Sequence, residues 1–178
     1  MNVLKIETKS IILLIAILLS GLLAGIFFTW TNAITPGIGK LDDLAYLQVF
    51  QHMNRAILNP LFFIIFMGAL LFSAASTYYY KSDSKLIFRL LIIATIIYFI
   101  GVFIVTIIGN LPLNDLIDKS VLESLSKIEI IELRKKYEMK WNNLHLIRTI
   151  TSTSTFFILI IVSIINNKTI KTTQNENN

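Results

Sequence analysis

The chain has 178 residues, of which 54% are hydrophobic and only 15% charged, where a water-soluble domain carries about 25% charge. It has no cysteine, which excludes a disulfide framework, a thiolate metal site and a thiol nucleophile. A net charge of +5 with a mean hydropathy of +0.69 fits basic loops between membrane spans and argues against a nucleic-acid-binding surface.

Lys5 and Lys9 precede the apolar run Ile11–Phe28. At about 18 residues the run is long enough to span a bilayer. Thr29-Trp30-Thr31 offers no small-x-small cleavage site, so the segment Ile11–Trp30 reads as a retained first span. Within it, Gly21 and Gly25 form a GxxxG motif, which serves close helix packing in a bundle or in a dimer and leaves oligomeric state open. Asp42 and Asp43 suit a helix start, and Leu44, Leu47, Phe50, Met53 and Ile57 then recur at helical spacing. An interfacial or re-entrant helix is predicted over 43–58. It kinks at Asn59-Pro60, because the residue before proline is pushed out of the α region. The second span is Leu61–Thr77, extended by Tyr78, Tyr79 and Tyr80.

The third span is Leu90–Ile108. Asn110-Leu-Pro-Leu-Asn114 follows, and Pro112 is predicted to stop the helix, with Asn110 capping its end and Asn114 starting a short helix over Asp115–Lys119. Ser126-Lys-Ile-Glu129 fits a capping box. No breaker follows it, so a helix of roughly 40 residues, ~60 Å long, is predicted to rise outside the bilayer and continue into the fourth span, Leu146–Ile165. Ile130, Leu133, Tyr137, Trp141 and Leu144 share one of its faces. Arg134 and Glu138 are placed to pair at i, i+4 on another. The hydroxyl run Thr149–Thr155 survives in a span by bonding back to carbonyls one turn earlier, and it marks a face turned to other helices or to a wet cavity.

The fold class is therefore an all-α membrane protein: a four-transmembrane-helix bundle with two helical extramembrane connections. Residues 1–165 make one domain, and 166–178 a polar, disordered tail. Seven basic residues sit on one side in short segments. Nine on the other side lie in long segments balanced by eight acids, which places both termini in the cytoplasm.

Three polar clusters stand near hydrocarbon, where such groups are costly. Gln51, Asn54 and Arg55 share a helix face, either as the wall of a binding cavity or as an ordinary wet face. Asn110 and Asn114 are either ligand-binding amides or helix caps. Trp141, His145 and Arg148, spaced by four and three, lie on one face. They form either an interfacial anchor or a site in which His145 and Arg148 hold an oxyanion and Trp141 stacks on a planar ring. Two histidines far apart, His52 and His145, do not make a metal site.

The order of these motifs resembles a known family. A glycine-rich first span leads to Gln51-His-Met-Asn54-Arg-Ala-Ile-Leu-Asn-Pro60, then to Asn110-x-Pro-Leu-Asn114, and finally to Trp141-x3-His145-x2-Arg148-Thr149. Over roughly 21–165 the chain resembles the anthrone-oxygenase-like proteins, four-span membrane proteins that include many bacterial members. The resemblance implies a bacterial cytoplasmic membrane and a link to enzymes that oxidise anthrones with O2, using neither metal nor other cofactor. It implies His145 as a base and Arg148 and Asn114 as stabilisers of the anion. Many members carry Asn at the position of His145, which implies a hydrogen-bonding orienter instead. Three readings follow. The first is a membrane protein binding a small apolar or aromatic ligand in a polar pocket. The second is a cofactor-independent oxygenase of an anthrone- or quinol-like substrate. The third is a structural, accessory or transporter-subunit protein. The first two require Asn54, Asn114, His145 and Arg148 to converge on one pocket, and the third does not.

Overall fold

The computed structural model describes residues 7–176, with side chains to residue 167. The first helix, α1 (Thr8–Thr29), passes through a π-helical winding at Trp30–Ile34 into the short α2 (Thr35–Ile38). Next come α3 (Asp43–Ile57), α4 (Pro60–Tyr79) and α5 (Lys85–Tyr98). α5 continues through π-helical windings at Phe99–Ile104 and Thr106–Asn110 into α6 (Leu111–Asp118). A short 3-10 turn, Leu122–Ser124, leads to α7 (Lys127–Glu176). Four of these helical stretches are long and apolar enough to cross a membrane: Thr8–Ile38, Pro60–Tyr79, Lys85–Asp118 and Lys127–Asn167. The protein is an integral membrane protein, a four-helix bundle as its hydropathy predicts.

α1 and α5 each contact both α4 and α7, so the bundle closes in the order α1, α4, α5, α7. Small residues set its closest approaches. A Cβ on Gly101 would overlap the Thr151 side chain, so α5 meets α7 there only because residue 101 has none. In the GxxxG pair, Gly21 makes room for Phe156 of α7, whereas nothing lies near Gly25. Gly21 therefore serves packing within the bundle. The hydroxyl run behaves as predicted: Thr149, Thr151 and Thr155 donate to the carbonyls of His145, Ile147 and Thr151 at 2.8–3.0 Å. Ser152 and Thr155 are fully buried.

At one end of the bundle, α3, α6 and the first half of α7 form a cap with its own core, centred on Tyr46, Phe50, Ile117, Tyr137 and Trp141. The Ser126–Glu129 capping box forms reciprocally, at 2.8 and 3.4 Å. Arg134 does more than pair with Glu138 (2.7 Å). Its guanidinium also donates to the carbonyls of Gly39 and Leu41, both at 2.8 Å, and to Asp43, clamping the turn before α3. The Asp42 carboxylate accepts from the Ala45 amide, and Asn59 accepts from the Phe62 amide at the start of α4, as the cap and kink signals predict. Arg134 also lies over the Tyr46 ring, 4.3 Å away. Burial, with the Glu138 carboxylate adding to it, holds the Tyr46 phenol well above its ordinary pKa.

Three expectations need correction. The buried face of α3 is Tyr46, Leu47, Phe50 and Asn54, rotated from the predicted stripe so that Leu44 is exposed. The aromatic ridge of α7 meets α3 through Tyr46 and Phe50, and this contact fixes the rotation. Pro112 does not stop the third helix. It occupies the first turn of α6, where a missing N–H costs least, and the π winding before it carries the backbone past the ring. The helix therefore runs on as Lys85–Asp118, and Asn110, in α conformation, makes no side-chain cap. α1 likewise continues past Trp30. The polar tail predicted over 166–178 falls mostly on residues whose side chains lie outside the described ones; the α7 backbone extends to Glu176.

Candidate functional site

The site lies where the cap meets the bundle, lined by residues of the π windings Trp30–Ile34 and Thr106–Asn110. Such windings recur at functional sites because they turn a face or a carbonyl out of helical register. α7 supplies Trp141, His145 and Arg148 on one face, as their spacing predicts.

Arg148 is 6% exposed, and it takes part in none of the ion pairs among the described residues. Its Nη2 donates to His145 Nδ1 at 2.7 Å. Its Nη1 donates to Thr106 Oγ1 at 3.4 Å, and its Nε has no partner. The guanidinium lies 4.8 Å from the Phe27 ring and 5.5 Å from that of Trp141. A buried cation without a carboxylate costs several kcal/mol. Aromatic faces offset only part of that, about 1–2 kcal/mol.

The bonding fixes the state of His145. A guanidinium N–H only donates, so Nδ1 must present its lone pair. Nε2 then carries the hydrogen and donates to the Phe27 carbonyl at 3.1 Å. The Thr149 hydroxyl, whose one hydrogen goes to the His145 carbonyl at 3.0 Å, also lies 3.3 Å from that carbonyl. With both nitrogens engaged, His145 holds Arg148 in place and presents no free lone pair for proton abstraction. An Asn side chain offers the same pairing of one acceptor and one donor, which matches the orienter role. The imidazole stacks on Trp141 (4.8 Å, 14°) and meets Phe27 edge-on.

Of the seven predicted site residues, five line one small cavity of about 60 Å³: Asn54, Asn114, Trp141, His145 and Arg148. Trp141 Nε1 donates to Asn114 Oδ1 at 2.7 Å, so this amide aligns the indole and does not start a new helix. The other two predicted residues stand apart. Gln51 donates from Nε2 to the carbonyls of Ile117 and Ser120 at 2.7 and 2.9 Å, which ties α3 to the end of α6. Asn110 is fully buried behind Trp141 and donates to its carbonyl. Sequence reasoning missed Phe27, Trp30, Phe62 and Thr106, which also line it. Thr106 carried a signal, a hydroxyl within the apolar run 99–108. Phe27 and Phe62 carried none, because each lies among other apolar residues of a span.

The cavity shares part of its wall with a larger cleft of about 440 Å³ between α4 and the end of α5 with α6. Asn54, Leu58, Phe62, Thr106, Leu111 and Asn114 border both spaces. Beyond them the cleft is walled by Phe63, Phe66, Met67, Phe103 and Ile107. At its rim Arg55 Nε donates to Asp118 at 2.6 Å. The inner space, at about 60 Å³, is too small for a ring system. Among the described residues, no three His, Cys, Asp or Glu side chains come together to hold a metal.

Compared with known families, residues 50–158 match the model described as anthrone oxygenase. That stretch is well over half of the chain and contains every residue of the α7 face. No curated protein and no solved structure matches the chain.

Proposed function

The chain belongs to the anthrone oxygenase family, and we propose that it binds a planar aromatic ligand bearing an acidic phenol or enol, stabilises the ligand's oxyanion on Arg148, and so prepares it for oxidation by O2. One observation carries this reading: Arg148 is a buried guanidinium with no carboxylate partner among the described residues, its Nε free, in a small cavity that shares a wall with an apolar cleft. A fixed cation in a dry site favours an anion far more than the same cation in water. For an anthrone, loss of a methylene proton to solvent gives an enolate whose oxygen meets Arg148. O2 adds at the methylene carbon, and protonation gives a hydroperoxide. Loss of water from that hydroperoxide leaves the quinone carbonyl, so one oxygen atom enters the product and the other leaves as water. His145 and Thr106 position Arg148, and Asn114 and Trp141 shape the neck.

The test uses the purified full chain in detergent with a dihydroxyanthrone. Wild-type protein is expected to shift the probe's absorbance to that of its anion and to raise oxygen uptake. Arg148→Met loses both effects, while His145→Asn retains the anion band and His145→Leu weakens it. An anion band that persists in Arg148→Met overturns the reading.

A further inference from the structure

The cleft that shares a wall with the Arg148 cavity is bordered by partly exposed apolar residues. Met67 of α4 is 37% exposed and Ile107, at the opposite wall, 46% exposed. Both lie within membrane-spanning stretches, where an exposed apolar side chain meets acyl chains. Phe63, which also lines the cleft, is exposed, as are Leu61 and Ile108 of the same two stretches. Polarity is confined to the two ends of the path. Arg148, Asn54 and Asn114 stand at the inner end, and the Arg55–Asp118 pair, with Asp115, stands at the rim where α3 and α6 meet.

We propose that the ligand is a lipid-dissolved amphiphile that enters sideways from the bilayer: a phenol- or enol-bearing aromatic head docked toward Arg148, with an aliphatic chain lying between Met67 and Ile107 and out into the acyl chains. This rests on the oxyanion reading and narrows its substrate class. An unpaired buried cation selects the head. Phe63, Met67 and Ile107 offer no side-chain group that would hydrogen-bond a polar substituent, and a chain emerging beside them leaves the protein into hydrocarbon; Arg55, Asp115 and Asp118 belong to the part of the rim where α3 and α6 meet. A ligand that reaches the site through the membrane is concentrated by partition, and the head never crosses the cap, whose core is closed by Phe50, Tyr137 and Trp141.

The test exploits two features of the composition. The chain has no cysteine and only two tryptophans, and both tryptophans, Trp30 and Trp141, line the inner cavity. The full chain is reconstituted in phosphatidylcholine nanodiscs, and quenching of its tryptophan fluorescence is titrated with a dihydroxyanthrone, its decyl derivative and decanoate. Ile107→Cys and, independently, Met67→Cys are alkylated in place with benzylmaleimide; the unalkylated sample of each is its own folding control. Alkylation is expected to weaken the decyl derivative about tenfold and the parent ring by less than about twofold. The proposal falls if alkylation at neither position affects the decyl derivative, or if wild-type protein binds the parent and rejects the decyl derivative. Decanoate binding as tightly as the decyl derivative overturns the aromatic head. Failure of both anthrones to quench the wild-type protein removes the oxyanion reading, and this proposal with it.

Discussion

If Arg148 is kept for a ligand, the unliganded protein is destabilised by it, and a pair of substitutions exposes this. Arg148→Met returns the desolvation of a cation within a span, about 2.5–3.5 kcal/mol on insertion scales. It also removes the 2.7 Å bond to His145, a charge-assisted bond contributing about 1.5–3 kcal/mol, and strands the Nδ1 acceptor at about 1–3 kcal/mol. The gain is met or exceeded by the losses, so the single variant lies between about 1 kcal/mol more and about 3.5 kcal/mol less stable than wild type. His145→Leu alone leaves a buried guanidinium without its best acceptor and costs about 2–4 kcal/mol. In the double variant nothing is stranded at that point: the Phe27 carbonyl still accepts from the Trp30 amide, and the desolvation is recovered. The double variant should therefore be more stable than wild type by about 1–4 kcal/mol, a rise of ~2–4 °C in Tm per kcal/mol, with strong non-additivity between the two sites. Thermal unfolding of the four proteins in one detergent, without ligand, makes the measurement. A double variant that melts below wild type would show that Arg148 is a structural tie, and the ligand reading would lose its physical basis.

Other outcomes follow from single contacts. Trp141→Phe keeps the stack on His145 but strands Asn114 Oδ1 at the cavity neck; it should lower stability by about 1–2 kcal/mol and weaken dihydroxyanthrone binding, read by thermal unfolding and by titration of the probe's anion band. Gly101→Ala puts a methyl group into Thr151, so unfolding midpoints should show a loss of about 1–3 kcal/mol. Arg134→Lys cannot reproduce the forked bonds to Gly39, Leu41, Asp43 and Glu138; hydrogen exchange should accelerate over residues 39–50 and remain unchanged in α4 and α5. Asp83→Asn breaks the partly exposed pair with Lys9 (2.7 Å) and should cost less than about 1 kcal/mol, which separates that end of the bundle energetically from the Arg148 end.

The four spans could be read along the chain because hydrocarbon imposes a local rule: every spanning stretch must be a helix with an apolar exterior, and no partner is needed to know it. Caps and kinks followed for the same reason, since Asp42, Asn59 and the Ser126–Glu129 box act within one turn of their own positions. The face shared by Trp141, His145 and Arg148 was legible because it depends only on helical spacing. What spacing could not supply was the partner of each group. Whether Asn114 caps a helix or holds Trp141, whether Gln51 faces a ligand or the end of α6, and which α3 face is buried all depend on segments tens of residues away. The π windings at Trp30–Ile34, Phe99–Ile104 and Thr106–Asn110 carry no local mark either, for Pro112 reads as a stop until a wider turn before it lets the helix pass. The most consequential fact, that Arg148 meets a histidine and a threonine and no carboxylate, belongs to the assembled bundle alone. An arginine near a span end is an ordinary anchor in sequence, and only the cap folding over it buries it, 6% exposed, away from any carboxylate among the described residues.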